Sequence, residues 1–235
     1  MRPLLLVCLF ALLLAATPSL GLSDEEIGAL KDMQAQWPQL PWAGSPSCYW
    51  PNLLCDPSGH VIELYLAGNG LSGTVPSSLG SLFALRTLNM YGNRLAGAIP
   101  ESLGSLSHLK ELVLDSNQFT GPLPASLQCL SSLQVLSAGR NRLSGTLPQS
   151  IGNLTSLQFL LISDNAFSGP IPEEITQLRR LQSLSLFMNT FTGVLPPDIC
   201  NMNAIISLFP MNSTFTCPLP SCCALGQCGS PAICQ

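Results

Sequence analysis

The sequence predicts an α/β solenoid, a right-handed superhelix of short stacked units with one parallel sheet along its concave side. Three observations predict it. Asn69, Asn93, Asn117, Asn141, Asn165 and Asn189 recur at an unbroken step of 24 residues. Gly73, Gly97, Gly121, Gly145, Gly169 and Gly193 keep that step, and so do Pro76, Pro100, Pro124, Pro148, Pro172, Pro196 and Pro220. Leucine or another apolar residue holds set offsets around each Asn, in the frame L-x-x-L-x-L-x-x-N-x-L-x-G-x-x-P. A period of this length marks one supersecondary unit repeated. A single unit cannot bury its apolar face, whereas stacked neighbours build a continuous core.

The elements follow in chain order. Residues 1–21 read as a secretory signal peptide: Met1-Arg2-Pro3, an apolar run from Leu4 to Ala16, then Ser19 and Gly21 as the small residues near cleavage. The run of about 13 apolar residues is short of the roughly 20 that a membrane span needs. Residues 22–59 form a cap. Ser23 followed by Glu26 is a capping box, and Asp24, Glu25 and Glu26 favour the positive end of a helix. Ile27, Leu30 and Met33 or Gln34 give that helix its apolar side, and Trp37-Pro38 ends it. Asp56-Pro57-Ser58-Gly59 turns the chain into the first strand.

Residues 60–216 carry six full units, starting at Val61, Leu85, Leu109, Leu133, Leu157 and Leu181, and a decayed seventh starting at Ile205. In that last unit Pro210 replaces the second strand leucine, Ser213 the Asn and Cys217 the Gly. In each full unit the L-x-L stretch is a short strand with its leucines inward. Seven such strands at ~4.8 Å make a concave sheet about 30 Å wide. Each repeat Asn closes its strand, and its amide bonds backbone groups of adjoining loops in a ladder from unit to unit. Unpaired, such buried groups would cost on the order of 1–3 kcal/mol each. Residues 217–235 are a cysteine-rich lid for the open solenoid end, which would otherwise expose leucines and strand edge.

Composition narrows the function. Charged residues make up only 9% of the chain and the net charge is −4, so there is no basic stripe of the kind nucleic-acid binding requires. No later stretch is long and apolar enough to cross a bilayer, and Ala232-Ile233-Cys234-Gln235 is not a lipid-anchor tail. Of ten cysteines, Cys8 lies in the signal peptide. The other nine read as disulfides in a secreted chain, with one left over. Cys200 is expected to join Cys217, Cys222, Cys223, Cys228 and Cys234 in three bonds. Cys129 is then the free thiol, with packing or a dimer-forming bond as its role and a monomer as the default state.

The stretch from Leu103 to Pro124, LGSLSHLKELVLDSNQFTGPLP, matches L-x-x-L-x-x-L-x-L-x-x-N-x-L-x-G-x-I-P almost throughout. It resembles the plant-type leucine-rich repeat. Trp42, Cys48-Tyr49-Trp50 and Cys55 resemble the amino-terminal cap of the same class. The resemblance covers about Ser23 to Pro220. It implies a second short sheet built around the L-x-G-x-[IVL]-P segments and a Cys48–Cys55 bond. Members include polygalacturonase-inhibiting proteins, ectodomains of receptor-like kinases and receptor-like proteins, and some protist surface antigens. This chain has fewer repeats than the inhibitors and a denser cysteine tail, and it lacks the receptors' membrane span and kinase.

Residues between the inward leucines face the concave side. One column there is Glu63, Thr87, Glu111, Val135, Phe159, Ser183 and Ser207. The next is Tyr65, Asn89, Val113, Ser137, Leu161, Ser185 and Phe209. The third is Ala67, Tyr91, Asp115, Gly139, Ser163, Phe187 and Met211. The amino-terminal half is polar, with Tyr65, Tyr91, Glu111 and Asp115. The carboxy-terminal half is apolar, with Phe159, Leu161, Phe187 and Met188. An exposed aromatic and methionine cluster marks a protein contact, unless the tail folds over Phe209 and Met211. His60 and His108 have no nucleophile at a readable spacing, Glu111 and Asp115 have no cleft around them, and the tail lacks zinc-site histidines. The sequence therefore points to no enzyme activity, cofactor or metal. Asn153-Leu154-Thr155, on the back of its unit, and Asn212-Ser213-Thr214, near the concave end, are glycosylation sequons.

The function read from the sequence is secreted recognition. A protein, peptide or glycan is held on the concave face, by an inhibitor or by a defence or signalling component. The alternative is a structural or adhesive protein of a cell surface or wall with no single specific ligand.

Overall fold

The cap helix shows how local chemistry docks the first unit. The computed structural model of the chain describes residues 21–202 and two short strands at 205–207 and 214–215. Helix α1 (Asp24–Gln36) starts at Ser23, whose hydroxyl accepts from the Glu26 N–H while its own N–H donates to Glu26 Oε2. The capping box is therefore formed on both sides. The buried stripe runs through Glu26, Ala29, Leu30 and Met33, with Trp37 buried just beyond the helix, and Ile27 is only half-buried. The apolar side is thus rotated by one residue from the expected one. The cause is Glu26. Its fully buried carboxylate accepts the Val61 N–H at 3.0 Å and meets His60 Nδ1 at 3.0 Å, tying the helix to the first strand.

Beyond the helix, the rings of Trp42 and Trp50 stack with centroids 4.7 Å apart, and each indole N–H donates to a backbone carbonyl, of Pro51 and Ala43. Cys48 and Cys55 are joined by a disulfide, as the family resemblance implied. Strand β1 (Leu53–Cys55) pairs antiparallel with the first repeat strand and closes the sheet at that end.

From there each turn of the solenoid adds one strand to each of two sheets. In chain order these are β2 (Val61–Tyr65) and β3 (Ser72–Gly73), β4 (Thr87–Asn89) and β5 (Arg94–Gly97), and β6 (Glu111–Val113) and β7 (Gln118–Gly121). They continue as β8 (Val135–Ser137) and β9 (Arg142–Gly145), and β10 (Phe159–Leu161) and β11 (Ala166–Gly169). The last are β12 (Ser183–Ser185) and β13 (Thr190–Gly193), and β14 (Ile205–Ser207) and β15 (Thr214–Phe215). The even-numbered strands and β1 form the concave sheet; the odd-numbered strands from β3 onward form the second. Between them, on the back, each full unit has a five-residue 3-10 helix that begins just after a repeat proline. Proline suits that place because its fixed φ stops the strand and it has no N–H to leave unpaired.

The core is a stack of identical layers. Leu64, Leu88, Leu112, Leu136, Leu160 and Leu184 are all fully buried in one register line. Each contributes ~1.5–3 kcal/mol of burial. The asparagine ladder is present as expected. Asn93, Asn117, Asn141, Asn165 and Asn189 each accept a backbone N–H of the preceding unit and donate to carbonyls of both units.

Glycines set the spacing on the back. A Cβ on Gly80 would lie 2.3 Å from the Ser102 carbonyl, and one on Gly104 would lie 2.4 Å from Ser126 Cβ. The corresponding residue of the third unit is Gln128, where a cavity of about 10 Å³ opens among Leu127, Gln128, Ser150 and Ile151. The backs of the third and fourth units are wedged apart there.

The decayed seventh unit departs from expectation. Ile205 pairs with Ser183, Ile206 with Leu184 and Ser207 with Ser185, so the strand arrives two residues early. The segment after the last 3-10 helix is shorter than in the other units. A two-residue slip preserves the alternation of faces, which is why the sequence pattern conceals it. Ile205 therefore takes the place assigned to Ser207, and Ser207 the place assigned to Phe209. Phe209, Pro210, Met211 and the tail lie outside the described residues.

Candidate ligand-binding surface

The concave sheet presents three columns, and the register places them as the alternation requires: Glu63, Thr87, Glu111, Val135, Phe159 and Ser183 are direct partners across successive strands. At the amino-terminal end Tyr65 is 45% exposed and its hydroxyl donates to Glu63 Oε2 at 2.8 Å. That hydrogen bond first, then desolvation and the charges of Glu63 and Glu111, hold the Tyr65 phenol above its ordinary value of 10.0. Tyr91, one strand over and two residues further along, is 48% exposed. Glu111 is exposed, and no hydrogen bond or ion pair reaches its carboxylate among the described residues. Asp115 is half-buried because it bonds across to the next unit, where its Oδ1 accepts the Gly139 N–H at 3.0 Å.

The middle of the face is low. Ser137 and Gly139 are buried, and a side chain at Gly139 would crowd Asp115 Oδ1 at 3.1 Å. Beyond it Phe159, Leu161 and Phe187 are half-buried rather than fully exposed, while Met188 is 49% exposed. Neighbouring strands cover the flanks of the three larger side chains and leave their outer faces open. No other element of the described chain packs over them.

Sequence reasoning missed one feature of the rim. The residue just before each repeat Asn has a left-handed backbone: Gly68 and Gly92 in the first two units, then Ser116, Arg140, Asp164 and Met188 with φ of 53–57°. A side chain in that region costs ~1–2 kcal/mol relative to the ordinary conformation. The signal was available in the two glycines, which mark the position where a side chain is strained. Arg140, Asp164 and Met188 are all exposed there, at the carboxyl ends of the concave strands.

The remaining candidates are distributed elsewhere. His60 is committed to Glu26, and His108 Nδ1 lies 3.2 Å from the Phe83 carbonyl. Among the described residues no group of three or more His, Cys, Asp or Glu is placed to hold a metal ion, and no helix is long and apolar enough to cross a membrane.

Comparison with known proteins gives this surface its context. Residues 107–167 match a family profile described as Leucine rich repeat, and residues 60–82, 84–106 and 180–202 match a second profile of the same description. The BIR2 ectodomain from Arabidopsis thaliana is 32% identical with a TM-score of 0.59, covering 66% of this chain and 86% of that one. The chain belongs to the plant-type leucine-rich repeat family. This repeat protein is also similar to the Arabidopsis receptor kinase HAESA ectodomain, solved in complex with an extended IDA peptide hormone ligand. That likeness has 26% identity and a TM-score of 0.74, over 90% of this chain and 36% of that one. The rice (Oryza sativa subsp. japonica) receptor protein kinase WSS1 is 39% identical over 91 residues, 38% of this chain. The repeat protein spans only 10% of that kinase's length.

One cysteine expectation is overturned. Cys129, half-buried on the back of the third unit, is disulfide-bonded within the chain, with its partner outside the described residues. It is neither the leftover thiol nor available for a dimer bond. The side chain of Cys200, with Cys217, Cys222, Cys223, Cys228, Cys234 and Asn212, lies outside the described residues. Asn153 is exposed at the end of the fourth unit's 3-10 helix, and its Nδ2 donates to Gln128 Oε1 at 3.4 Å.

Proposed function

We propose that this repeat protein is an extracellular recognition protein whose concave sheet holds an extended peptide. One observation carries the reading. Phe159, Leu161 and Phe187, with exposed Met188 beside them, stand on a sheet face that no described element covers. A solvent-facing aromatic and methionine group of this kind is typical of the anchors of a protein contact. The likeness to an ectodomain bound to a peptide hormone supports a peptide as the ligand class. The signal peptide read at residues 1–21 supports placement outside the cell, and the exposed Asn153 sequon a glycan on the back, clear of the concave face.

The test is selection. The full secreted chain, immobilised, is panned against a random library of displayed 12-residue peptides and, in parallel, against insoluble cell-wall polysaccharide. Convergence on one peptide motif, with binding lost in Phe187→Ala, is the expected result. Absence of any convergent motif together with diffuse retention by the polysaccharide would overturn it and favour a structural or adhesive wall protein.

A further inference from the structure

The two halves of the concave face differ in charge as well as in apolarity, and this constrains what lies along it. Glu63, Glu111 and Asp115 bring three carboxylates to the first three units of the face, and among the described residues no arginine or lysine pairs with them. The ion pair formed among the described residues is Glu26 with His60, in the cap. Glu63 and Glu111 share one column two strands apart, a separation of roughly 10 Å at the usual strand spacing. Thr87 lies between them in that column; Tyr65 stands two residues along from Glu63, and Tyr91 two residues further along on the next strand, beside Asp115, both with their rings nearly half exposed. Rings beside carboxylates that no described cation neutralises suit an ammonium or guanidinium group, which the carboxylates neutralise and the ring faces attract.

We infer that the peptide ligand carries a lysine or arginine seated among Glu63, Tyr65, Tyr91 and Glu111, and a large apolar residue seated on Phe159, Leu161 and Phe187. This rests on the concave face being the peptide site. The floor between the two seats is low, since Ser137 and Gly139 are buried, so the backbone of the ligand can approach the sheet closely there. The spacing follows from the strand ladder. From β6, which carries Glu111, to β12, adjoining Phe187, is three strand steps, and from β2, which carries Tyr65, it is five. At ~4.8 Å per step these are roughly 14 and 24 Å, which an extended chain crosses in about four to seven residues. The ligand motif is therefore a basic residue separated by four to seven positions from Leu, Phe or Met.

The same 12-residue peptide library tests this, panned on wild type and on the Glu63→Gln/Glu111→Gln variant, with the best synthetic peptides measured by fluorescence anisotropy at low and high NaCl. Selected sequences should be enriched in Lys or Arg at that spacing. The double variant should bind them roughly tenfold more weakly, and high salt should weaken wild-type binding. A melting temperature matching wild type shows that the variant is folded. Should wild type select peptides whose binding needs Phe187 but is indifferent to basic residues and to the double variant, the charge inference falls while peptide recognition stands. Selection of acidic peptides likewise overturns the inference. If no peptide converges, or a neutral oligosaccharide panel is bound instead, the peptide reading falls and this inference with it.

Discussion

Replacing Asn117 with alanine removes one rung of the ladder between the second and third units, and the structure gives the size of the effect. Asn117 Oδ1 accepts the buried Leu95 N–H at 3.0 Å, and Nδ2 donates to the carbonyls of Met90, Leu114 and Asp115 at 2.9, 3.0 and 3.2 Å. The three carbonyls each keep another donor, from Asn93, Asn141 and the Gly92 N–H respectively. The Leu95 N–H loses its side-chain acceptor. An orphaned buried donor costs about 1–3 kcal/mol, and the weakened carbonyl bonds add a fraction more, so the expected loss is ~2–4 kcal/mol. Asn69 supplies the internal control. It opens the ladder, has no unit of this kind before it, and makes one bond, from Nδ2 to the Ala67 carbonyl at 3.1 Å. Asn69→Ala should therefore cost less than ~1 kcal/mol. Urea unfolding followed by circular dichroism measures both, with the slope checked for constancy so that midpoint shifts report stability. If Asn117→Ala costs no more than Asn69→Ala, the amides are not what joins the units.

Four further substitutions probe three other joints. Cys55→Ser opens a short loop in the cap and should cost ~2–3 kcal/mol, with amide exchange rising in α1 and β1 before the later units; uniform loss along the chain would show that the cap is not a separable joint. Glu101 accepts the Ala125 and Ser126 N–H groups of the next unit. Desolvation raises its carboxyl, but hydrogen bonding from the Ser126 side chain and from the Ser126 and Ala125 N–H groups outweighs that and holds it below its ordinary 4.5. A depressed carboxylate stabilises the fold above the unfolded value and ceases to do so as pH falls through the folded one. The melting-temperature gap between wild type and Glu101→Gln should thus be present at pH 6–7 and close below about pH 4.5; a gap that persists at pH 3 would contradict an ionic role. Gly104→Ala would place its Cβ 2.4 Å from Ser126 Cβ and should cost ~1–3 kcal/mol. Gln128→Gly, in the corresponding but wedged-open place, should cost under ~1 kcal/mol, and calorimetry that reverses this order would refute the spacing role of the glycine column.

Much of the fold was legible because a repeat states its rules several times over. One step shared by Asn, Gly and Pro placed the strands, the ladder and the turns, and Ser23 with Glu26 placed the helix start. What escaped reading was whatever depended on a single contact. The helix face is set by the buried bonds of Glu26 to His60 and Val61, and helical periodicity favours Ile27 because it knows nothing of that carboxylate. The early arrival of β14 leaves the in–out alternation intact, so no periodicity could expose it. For the surface, alternation told which way Phe159, Leu161 and Phe187 point but not how far adjacent strands cover them. The left-handed rim was written only in Gly68 and Gly92, and the third to sixth units put ordinary side chains there.

The central claim is that recognition occurs on the concave sheet through its apolar half. Isothermal titration of the selected peptide against four proteins tests it most directly: wild type, Phe187→Ala on the concave face, Thr192→Ala on the exposed second sheet, and Leu184→Ala in the core. Phe187→Ala should lose about thirty-fold in affinity, equivalent to ~2 kcal/mol, with an unchanged melting temperature. Thr192→Ala should bind as wild type does, and Leu184→Ala should be destabilised by ~2–5 kcal/mol through the cavity it leaves. Wild-type affinity in Phe187→Ala alongside weakened binding in Thr192→Ala would place the ligand on the other sheet and contradict the account.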